Sequence, residues 1–425
     1  MTRTTKRFTA AALGVVLASA CQNDQLFRPA NFVPIDPLFE RYVSMGNSIT
    51  AGFQSGGIND STQMQAYPVL LASRMGSPFF PPLMRRPGCP YPIDSVFKVD
   101  TVTASPTRGK PHRIGNTFRD DLCQLRAPQA VPPPYVSNVA IPGATVLDGY
   151  SNDSSAGAQR RNALTTFFLG GLTQMQMVER ARPTFVTVWI GNNDVLGAAT
   201  NAANAGDSAL ITPVALFQTR YHALLDSIEA VNPQGVLLIG VASVVGIANR
   251  VGLPPNQPPA NGVPFFAYGS TYYALDQLAQ IPGPFVADPT CAPPRGDSVL
   301  VPFPLGGALI AGGGTLTCNE VQTIQPAEAV KLASTVAAYN AYIASQAASR
   351  GWTYFDPNPT LDSLRRIPTQ VSFFPTFGAA CSANPFGAAF TCDAVHPSAA
   401  THKLIANKLR EAINTAYGTA IPVIP

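Results

Sequence analysis

Five short apolar runs, rich in β-branched and aromatic residues, give the strongest constraint on what this 425-residue chain can fold into. They are Tyr42–Met45, Val136–Ile141, Phe185–Ile190, Val236–Val241 and Trp352–Phe355. Runs of this length and composition predict buried strands, and helical patterns at about 216–231 and 326–350 precede the last two. Strands that alternate with helices form a parallel sheet covered on both faces. The sequence therefore predicts an α/β fold of three layers, with a mainly parallel central sheet.

Polar motifs follow three of these runs, at the points where the chain leaves the predicted sheet. The motifs are Gly46-Asn47-Ser48-Ile49-Thr50 after the first run, Gly143 after the second, and Gly191-Asn192-Asn193-Asp194 after the third. A fourth motif, Asp393-Ala394-Val395-His396-Pro397, lies near the end of the chain. In open α/β sheets, ligands bind beyond the carboxyl ends of the strands. We therefore expect these motifs to meet in one site.

The first and last motifs supply the groups that serine hydrolysis requires. Ser48 is the candidate nucleophile, His396 the candidate general base, and Asp393 the candidate group that orients the imidazole and stabilises its charged form. Structural roles also fit these residues, since a serine at this position commonly caps a helix and an aspartate commonly sits in a turn. The occurrence of all the required groups in one chain favours catalysis.

The other three histidines receive different assignments. We expect surface or core roles for His112, in a basic loop, and for His222, in an amphipathic helix. His402 follows on a predicted helix from Ser398 to Ala416, where we expect it to be solvated.

The second and third motifs supply candidate donors for an oxyanion hole, which serine hydrolases use to stabilise the developing negative charge. Gly143 would donate through its backbone N–H and Asn193 through its side-chain amide. Alternatively, Gly143 is only a turn residue and Asn193 only closes its own loop. We expect Asn192 and Asp194 to brace that loop, and Gly191 to supply permissive backbone geometry.

Taken in order, the four motifs resemble those of the SGNH hydrolases, also called the GDSL-type lipases and esterases. Ser48, Gly143, Asn193 and His396 match the residues for which that family is named, and the resemblance runs from about residue 42 to about residue 406. It implies a flavodoxin-like α/β/α sandwich and a Ser48-His396-Asp393 triad. It also implies a third oxyanion donor, the Ser48 N–H. Asn47 stands where the family's motif has an aspartate, so this position carries no charge.

The N-terminus is typical of an export signal. Arg3, Lys6 and Arg7 precede an apolar stretch too short to span a bilayer permanently. The segment Leu17-Ala18-Ser19-Ala20-Cys21 resembles a lipoprotein cleavage box, which predicts lipidation of Cys21. Ordinary cleavage after Ala20 is the alternative.

The lipoprotein interpretation assigns residues 1–21 to a signal peptide, residues 22–38 to a tether and residues 39–420 to one hydrolase domain. Gln22 after the cysteine favours the outer membrane, by analogy with lipoprotein sorting, with the enzyme facing the periplasm or the exterior. Removal of the signal segment leaves 25 basic and 24 acidic residues. With no basic cluster, the chain is not expected to bind nucleic acid.

Cysteine usage agrees with export. Six cysteines remain besides Cys21, and an even number in an exported chain suggests disulfides. Six cysteines allow 15 connectivities, and pairing of sequence neighbours would give Cys89–Cys123, Cys291–Cys318 and Cys381–Cys392. Four of the six lie in Pro/Gly-rich insertions at about 76–134 and 250–325. A zinc site is not predicted, because no Cys-x-x-Cys or histidine cluster occurs. The serine chemistry implies no metal or organic cofactor.

These observations predict an exported serine esterase that acts through an acyl-enzyme on a small ester or lipid. A lipase or acyl esterase is the first interpretation. A carbohydrate or cell-wall O-acetyl esterase is the alternative with the same chemistry, and a non-catalytic surface lipoprotein is the third. The pairs Phe79-Phe80, Phe265-Phe266 and Phe373-Phe374 favour an apolar pocket only weakly, since such pairs commonly belong to the core.

Overall fold

A computed structural model describes residues 33–127, 133–152, 162–201, 203–244, 267–268, 285–291, 299–302, 305, 313–319, 321–365, 367, 369–371 and 378–425. The predicted signal segment, Cys21, most of the predicted tether and most of the 250–325 insertion lie outside the described residues, as do Phe265-Phe266 and Phe373-Phe374.

The strands of the described residues are β1 (Tyr42–Gly46), β2 (Ile93–Val99), β3 (Pro111–Arg113), β4 (Phe185–Trp189), β5 (Gly235–Ile239), β6 (Ala267–Tyr268), β7 (Phe285–Ala287), β8 (Val301–Pro302), β9 (Gly314–Leu316) and β10 (Thr353–Phe355). The α-helices are α1 (Ser48–Ala51), α2 (Asp60–Met64), α3 (Tyr67–Met75), α4 (Val146–Tyr150), α5 (Thr165–Leu169), α6 (Gln174–Ala181), α7 (Asn193–Thr200), α8 (Val214–Val231), α9 (Pro326–Ser349), α10 (Asn358–Arg365) and α11 (Ala399–Tyr417). Short 3₁₀ turns occupy Pro37–Phe39, Ser208–Leu210, Pro289–Cys291 and Cys381–Ala383.

The central sheet is parallel and has the strand order β1-β4-β5-β10. Every residue of β1, β4 and β5 is buried, as expected of strands covered on both faces. Helices α3 and α11 pack together on one side, and α4, α6, α8 and α9 pack together on the other. The predicted three-layer α/β fold is confirmed.

The predicted strand at Val136–Ile141 is wrong in extent. The segment lies beside β1, where Ser44 N donates to Ser137 O (2.8 Å) and Val139 N donates to Ser44 O (2.9 Å). Only one parallel bridge forms, between Ser44 and Asn138. Ile141 N still donates to Gly46 O (3.2 Å), but Gly46 N donates to the side chain of Gln174 (2.9 Å) and not back to this segment, so the strand ladder is interrupted there.

The 76–134 insertion has ordered structure of its own. Strands β2 and β3 form an irregular antiparallel hairpin, and the Cys89–Cys123 disulfide ties the segment before the hairpin to the segment after it. Phe79 stacks on Tyr42 at 5.2 Å between ring centroids, at the beginning of β1. That end of the sheet is opposite the predicted site, so Phe79 does not line the substrate pocket. Among the described residues, no helix is long and apolar enough to cross a membrane.

Candidate active site

Ser48 lies where the carboxyl end of β1 turns into a helix. It is the first residue of α1, and Asn47 caps that helix by accepting the Ile49 N–H (3.1 Å). The helix-capping role considered for Ser48 therefore belongs to Asn47, and the Ser48 hydroxyl is free of it. The helix N-terminus favours negative charge on the serine oxygen. Ser48 is 8% exposed, at the floor of the site.

The side chain of Gln174 holds the turn that presents Ser48 by bonding the backbone of Gly46. Its side-chain amide donates to Gly46 O (2.8 Å) and its side-chain oxygen accepts from Gly46 N (2.9 Å). A Cβ on Gly46 would lie 2.3 Å from Thr50 Oγ1 and 2.6 Å from Trp189 O, so only glycine fits there. Gln174 is fully buried in the first turn of α6. No local pattern marks a glutamine that bonds a backbone 128 residues away.

His396 and Asp393 form the hydrogen-bonded pair that the sequence predicts. His396 Nδ1 lies 2.8 Å from Asp393 Oδ2, and the two side chains are 13% and 11% exposed. Asp393 Oδ1 also accepts the backbone amides of Val395 and His396, each at 2.9 Å. Burial alone would raise the pKa of Asp393, but the charge and hydrogen bonds of His396 and the Val395 amide lower it to about 2. Asp393 is therefore a carboxylate at neutral pH, and the Nε2 of His396 remains for the serine.

Phe53 brings the serine and the histidine together. Its N–H donates to Ser48 O (2.9 Å), and its ring packs against the His396 imidazole at 4.8 Å between centroids. Within the described residues no hydrogen bond joins Ser48 Oγ to His396. Such contacts are often long before substrate binds and tighten only in the reacting complex.

The two candidate oxyanion donors lie on adjacent segments. Gly143 is exposed in a turn closed by the Ala144 N–H to Ile141 O bond (3.1 Å), with a φ of +77° that glycine adopts without strain. Asn193 begins α7, and its Nδ2 donates to Ala144 O (2.9 Å). An amide nitrogen carries two N–H groups, so a second one remains for substrate. The structure thus places both predicted donors side by side.

Asp194 braces this part of the site, as the sequence analysis expected. Its carboxylate accepts Val146 N (2.9 Å) and Thr212 Oγ1 (3.0 Å), tying α4 and the segment before α8 to the start of α7. Burial raises the pKa of Asp194 to about 6, although these hydrogen bonds oppose the shift. Gly191 has a φ of +116°, the permissive geometry expected for it. The Asn192 side chain lies 3.4 Å from Asn47 Nδ2 and 3.5 Å from Ala242 O, so it too faces the protein interior.

The three disulfides join sequence neighbours. They are Cys89–Cys123, Cys291–Cys318 and Cys381–Cys392. The third ends at the residue immediately before Asp393, so it closes the loop that carries Asp393 and His396. Within the described part of the chain, no group of three His, Cys, Asp or Glu side chains is placed to hold a metal ion.

Two of the remaining histidines lie where the sequence analysis placed them. His112 is mostly buried, with its imidazole 2.5 Å from Asp94 Oδ1, and His222 is half exposed on α8. The prediction that His402 is solvated is wrong. His402 is fully buried on α11, and its Nδ1 accepts the Tyr67 N–H (3.3 Å). The apolar positions Ile405, Ala406 and Leu409 share its helix face, and this periodicity was the signal for burial.

A family comparison decides the class of the protein. The model of the GDSL-like lipase/acylhydrolase family matches residues 42–409, which include all four motifs. The chain belongs to this family. It is thus a serine hydrolase of the kind that cleaves ester bonds. A search of curated proteins with the sequence of this family member finds no match.

Solved structures similar to this family member are distant in sequence. A catalytic mutant of an acetylxylan esterase from Geobacillus stearothermophilus shares 11% identity, covering 90% of this chain and 95% of that chain with a TM-score of 0.38. An extracellular lipase from Streptomyces rimosus shares 14% identity, covering 88% of this chain and 99% of that chain with a TM-score of 0.35. At these scores the similarity carries no argument about substrate.

The Asn193 side chain offers a test of the oxyanion hole. We expect Asn193→Ala to lower kcat about 10²- to 10³-fold with little change in KM, because the donor acts mainly on the transition state. Steady-state kinetics on a nitrophenyl ester would measure both constants. Asn201→Ala is the control, since Asn201 directly follows the other end of α7, where its side chain accepts the amides of Ala203 and Asn204. A fall in kcat of less than about threefold would show that Asn193 is not an oxyanion donor.

His402 makes a prediction about acid stability. Burial, with a smaller contribution from the charge of His396, lowers the pKa of His402 to about 3. Within the described residues its Nε2 has no hydrogen-bond partner, so protonation gains nothing in the folded state. Below the unfolded pKa of about 6.5 the unfolded chain binds the proton and the folded chain does not. The free energy of unfolding therefore falls as the pH drops from about 6.5 towards 3.

The matched variant is His402→Gln, which keeps an acceptor for the Tyr67 N–H. We expect the wild type to lose about 3 kcal/mol more stability than this variant between pH 7 and pH 4. Urea denaturation at the two pH values gives the comparison. Equal losses in both proteins would show that His402 titrates normally and is not buried.

Proposed function

We propose that this chain is an exported carboxylic ester hydrolase that acts through a Ser48-His396-Asp393 triad, with acyl esters or lipids as substrates. The observation that supports this most is the His396–Asp393 pair beside a serine at a helix N-terminus. With Nδ1 engaged by Asp393, His396 Nε2 takes the Ser48 proton as Oγ attacks the ester carbonyl. The negative charge moves to the carbonyl oxygen, which the Ser48 and Gly143 backbone amides and Asn193 Nδ2 hold.

The second half of the reaction uses the same groups. The proton on His396 passes to the leaving alkoxide, which departs as an alcohol and leaves an ester on Ser48 Oγ. Water then loses a proton to His396 and attacks that acyl-enzyme, which releases the carboxylic acid and restores the serine. Asp393 remains a carboxylate throughout and stabilises the imidazolium. No cofactor takes part in these steps.

The substrate test is a series of nitrophenyl esters from acetate to palmitate, run beside Ser48→Ala. Rates that rise with acyl length and vanish in the variant would support a lipase or acyl esterase. Activity confined to acetate would contradict that choice and assign a carbohydrate O-acetyl esterase. Acetylated xylan and acetylated cell-wall sugars would then replace the nitrophenyl esters.

Export and anchoring form the second part of the proposal. Three disulfides in the described residues support an oxidising compartment, because reduced cytosol does not maintain them. Lipidation at Cys21 would attach the enzyme to a membrane. Gln22 after the cysteine favours the outer membrane.

Cys21→Ala tests the anchor directly. We expect the wild type in the membrane fraction and the variant in the soluble exported fraction, because two buried acyl chains hold a protein stably on a bilayer and none remains in the variant. Blotting of fractions from the producing cell measures the distribution, with Cys21→Ala and wild type processed in parallel. Wild-type protein in the soluble exported fraction would contradict lipidation and support plain cleavage after Ala20.

A further inference from the structure

A tight turn over Gln54–Gly57 follows the helix that begins at Ser48. It lies between the loop that carries Asp393 and the β2–β3 hairpin of the 76–134 insertion. Gln54 N donates to Gly57 O (2.8 Å), and Gly57 N donates back to Gln54 O (3.1 Å). Its two central residues both have positive φ, +54° at Ser55 and +64° at Gly56. This is the geometry of a type I′ turn. A serine in the left-handed region is held there by surrounding contacts, and this turn has contacts on two sides.

One side of the turn faces the loop that carries the catalytic acid. Gly56 N donates to Asp393 Oδ2 (2.5 Å), the same oxygen that His396 Nδ1 contacts. Ser55 N donates to Thr391 Oγ1 (2.9 Å), and Ser55 Oγ accepts Cys392 N (3.2 Å). The position of the Asp393 carboxylate therefore depends on where this turn is held.

The other side of the turn faces the β2–β3 hairpin. Ile93 N donates to Ser55 O (2.7 Å), and Arg113 Nη1 donates to Gly56 O (2.8 Å). The same Arg113 nitrogen donates to Tyr91 O (2.5 Å), so one guanidinium group joins the turn to the hairpin. The carbonyl of Gly56 thus accepts from Arg113, and the amide of Gly56 donates to Asp393, so Gly56 connects the two residues.

Arg113 is buried, although a buried arginine is usually paired with a carboxylate. It is 7% exposed, and within the described residues its bonds go to backbone carbonyls with no carboxylate in ion-pair contact. Burial lowers the pKa of Arg113, while the charges of Asp120 and Asp393 raise it. Burying an unpaired charge is costly. The negative charges that offset this cost are those of Asp120, which contributes more, and Asp393.

We propose that Arg113 is a positioning residue for the Asp393 carboxylate, acting through the carbonyl and amide of Gly56. This rests on the proposed function of the Ser48-His396-Asp393 triad. The 76–134 insertion is then part of the catalytic apparatus, because it supplies the side chain that fixes the turn behind the triad. Arg113 touches neither substrate nor the reacting atoms, and its effect reaches them through Asp393 and His396.

The test compares three arginine variants by steady-state kinetics. We expect Arg113→Met to lower kcat about 10- to 100-fold with KM nearly unchanged, as displacements of catalytic groups by about 1 Å do. Arg113→Lys should recover most of this loss, because one charged nitrogen can reach both carbonyls. Arg108→Met is the matched control, since Arg108 is an exposed arginine of the same insertion. If Arg113→Met does not fold, Arg113→Gln takes its place in the comparison.

Coupling to Asp393 separates positioning from general stability. In an Asp393→Asn background, Arg113→Met should lower kcat by less than about threefold further, because the group it positions has gone. Equal losses in both backgrounds would overturn the proposal, as would an Arg113→Met enzyme with wild-type kcat.

A readout without substrate keeps this test apart from the test of function. The proton between His396 Nδ1 and Asp393 gives a far-downfield ¹H NMR signal, which Arg113→Met should shift or broaden and Arg108→Met should not. An unchanged signal in Arg113→Met would overturn the positioning role, even if the enzyme is active. If Arg113→Met changes the signal but the wild-type protein hydrolyses no ester, the proposed function is contradicted and the positioning role stands.

Discussion

Replacing Ser48 with alanine should lower kcat for a nitrophenyl ester by about 10⁴- to 10⁶-fold, since the acyl-enzyme cannot form without its hydroxyl. The residual rate comes from the oxyanion donors and substrate binding. The fold should be unaffected, because Asn47 Oδ1 and not the Ser48 hydroxyl caps α1. Steady-state kinetics and thermal unfolding of the same preparation measure the two effects.

Asn47→Ala is the structural control for this experiment. It removes the cap and should cost about 1 kcal/mol of stability, whereas Ser48→Ala should cost much less. If Ser48→Ala loses as much stability as Asn47→Ala, the Ser48 hydroxyl and not only Asn47 caps α1. A kcat within about tenfold of the wild type would contradict the serine mechanism.

Replacing His396 with alanine should lower kcat as far as Ser48→Ala does, because the serine proton then has no acceptor. The two residues act as one unit, so the double variant should be no slower than either single variant. Kinetics of the four proteins at one pH give this comparison directly. His222→Ala is the control, since His222 lies on the surface of α8 and is 54% exposed.

Additive losses in the double variant would contradict this account. They would mean that Ser48 and His396 contribute separately and do not exchange a proton. A His396→Ala enzyme that regains activity with added imidazole would support the assignment further, because a free base would then replace the missing one.

The architecture and the chemical groups of the site were predictable from short segments of the sequence. Each of β1, β4 and β5 is a continuous apolar run, and each ends in a motif or loop at the carboxyl edge. The pair Asp393 and His396 lies three residues apart, so their contact depends on local geometry alone. These features involve neighbours in the chain, where composition and spacing carry the information.

The features that sequence reasoning missed depend on contacts between distant segments. Gln174 bonds a backbone 128 residues away, and the Ser55 and Gly56 amides bond a loop more than 330 residues away. A buried arginine that donates to carbonyls has no periodicity or motif to mark it. The missing strand at 136–141 has the same kind of cause, since Gly46 N donates to the distant Gln174 side chain and the ladder beside β1 is interrupted there.

The most direct test of the central claim is to trap the acyl-enzyme equivalent with a fluorophosphonate and locate it by peptide mass spectrometry. The triad predicts one adduct, on Ser48, in the wild type and none in His396→Ala under the same conditions. An adduct on another residue, or hydrolysis that continues without any adduct, would contradict the assignment of Ser48 as the nucleophile.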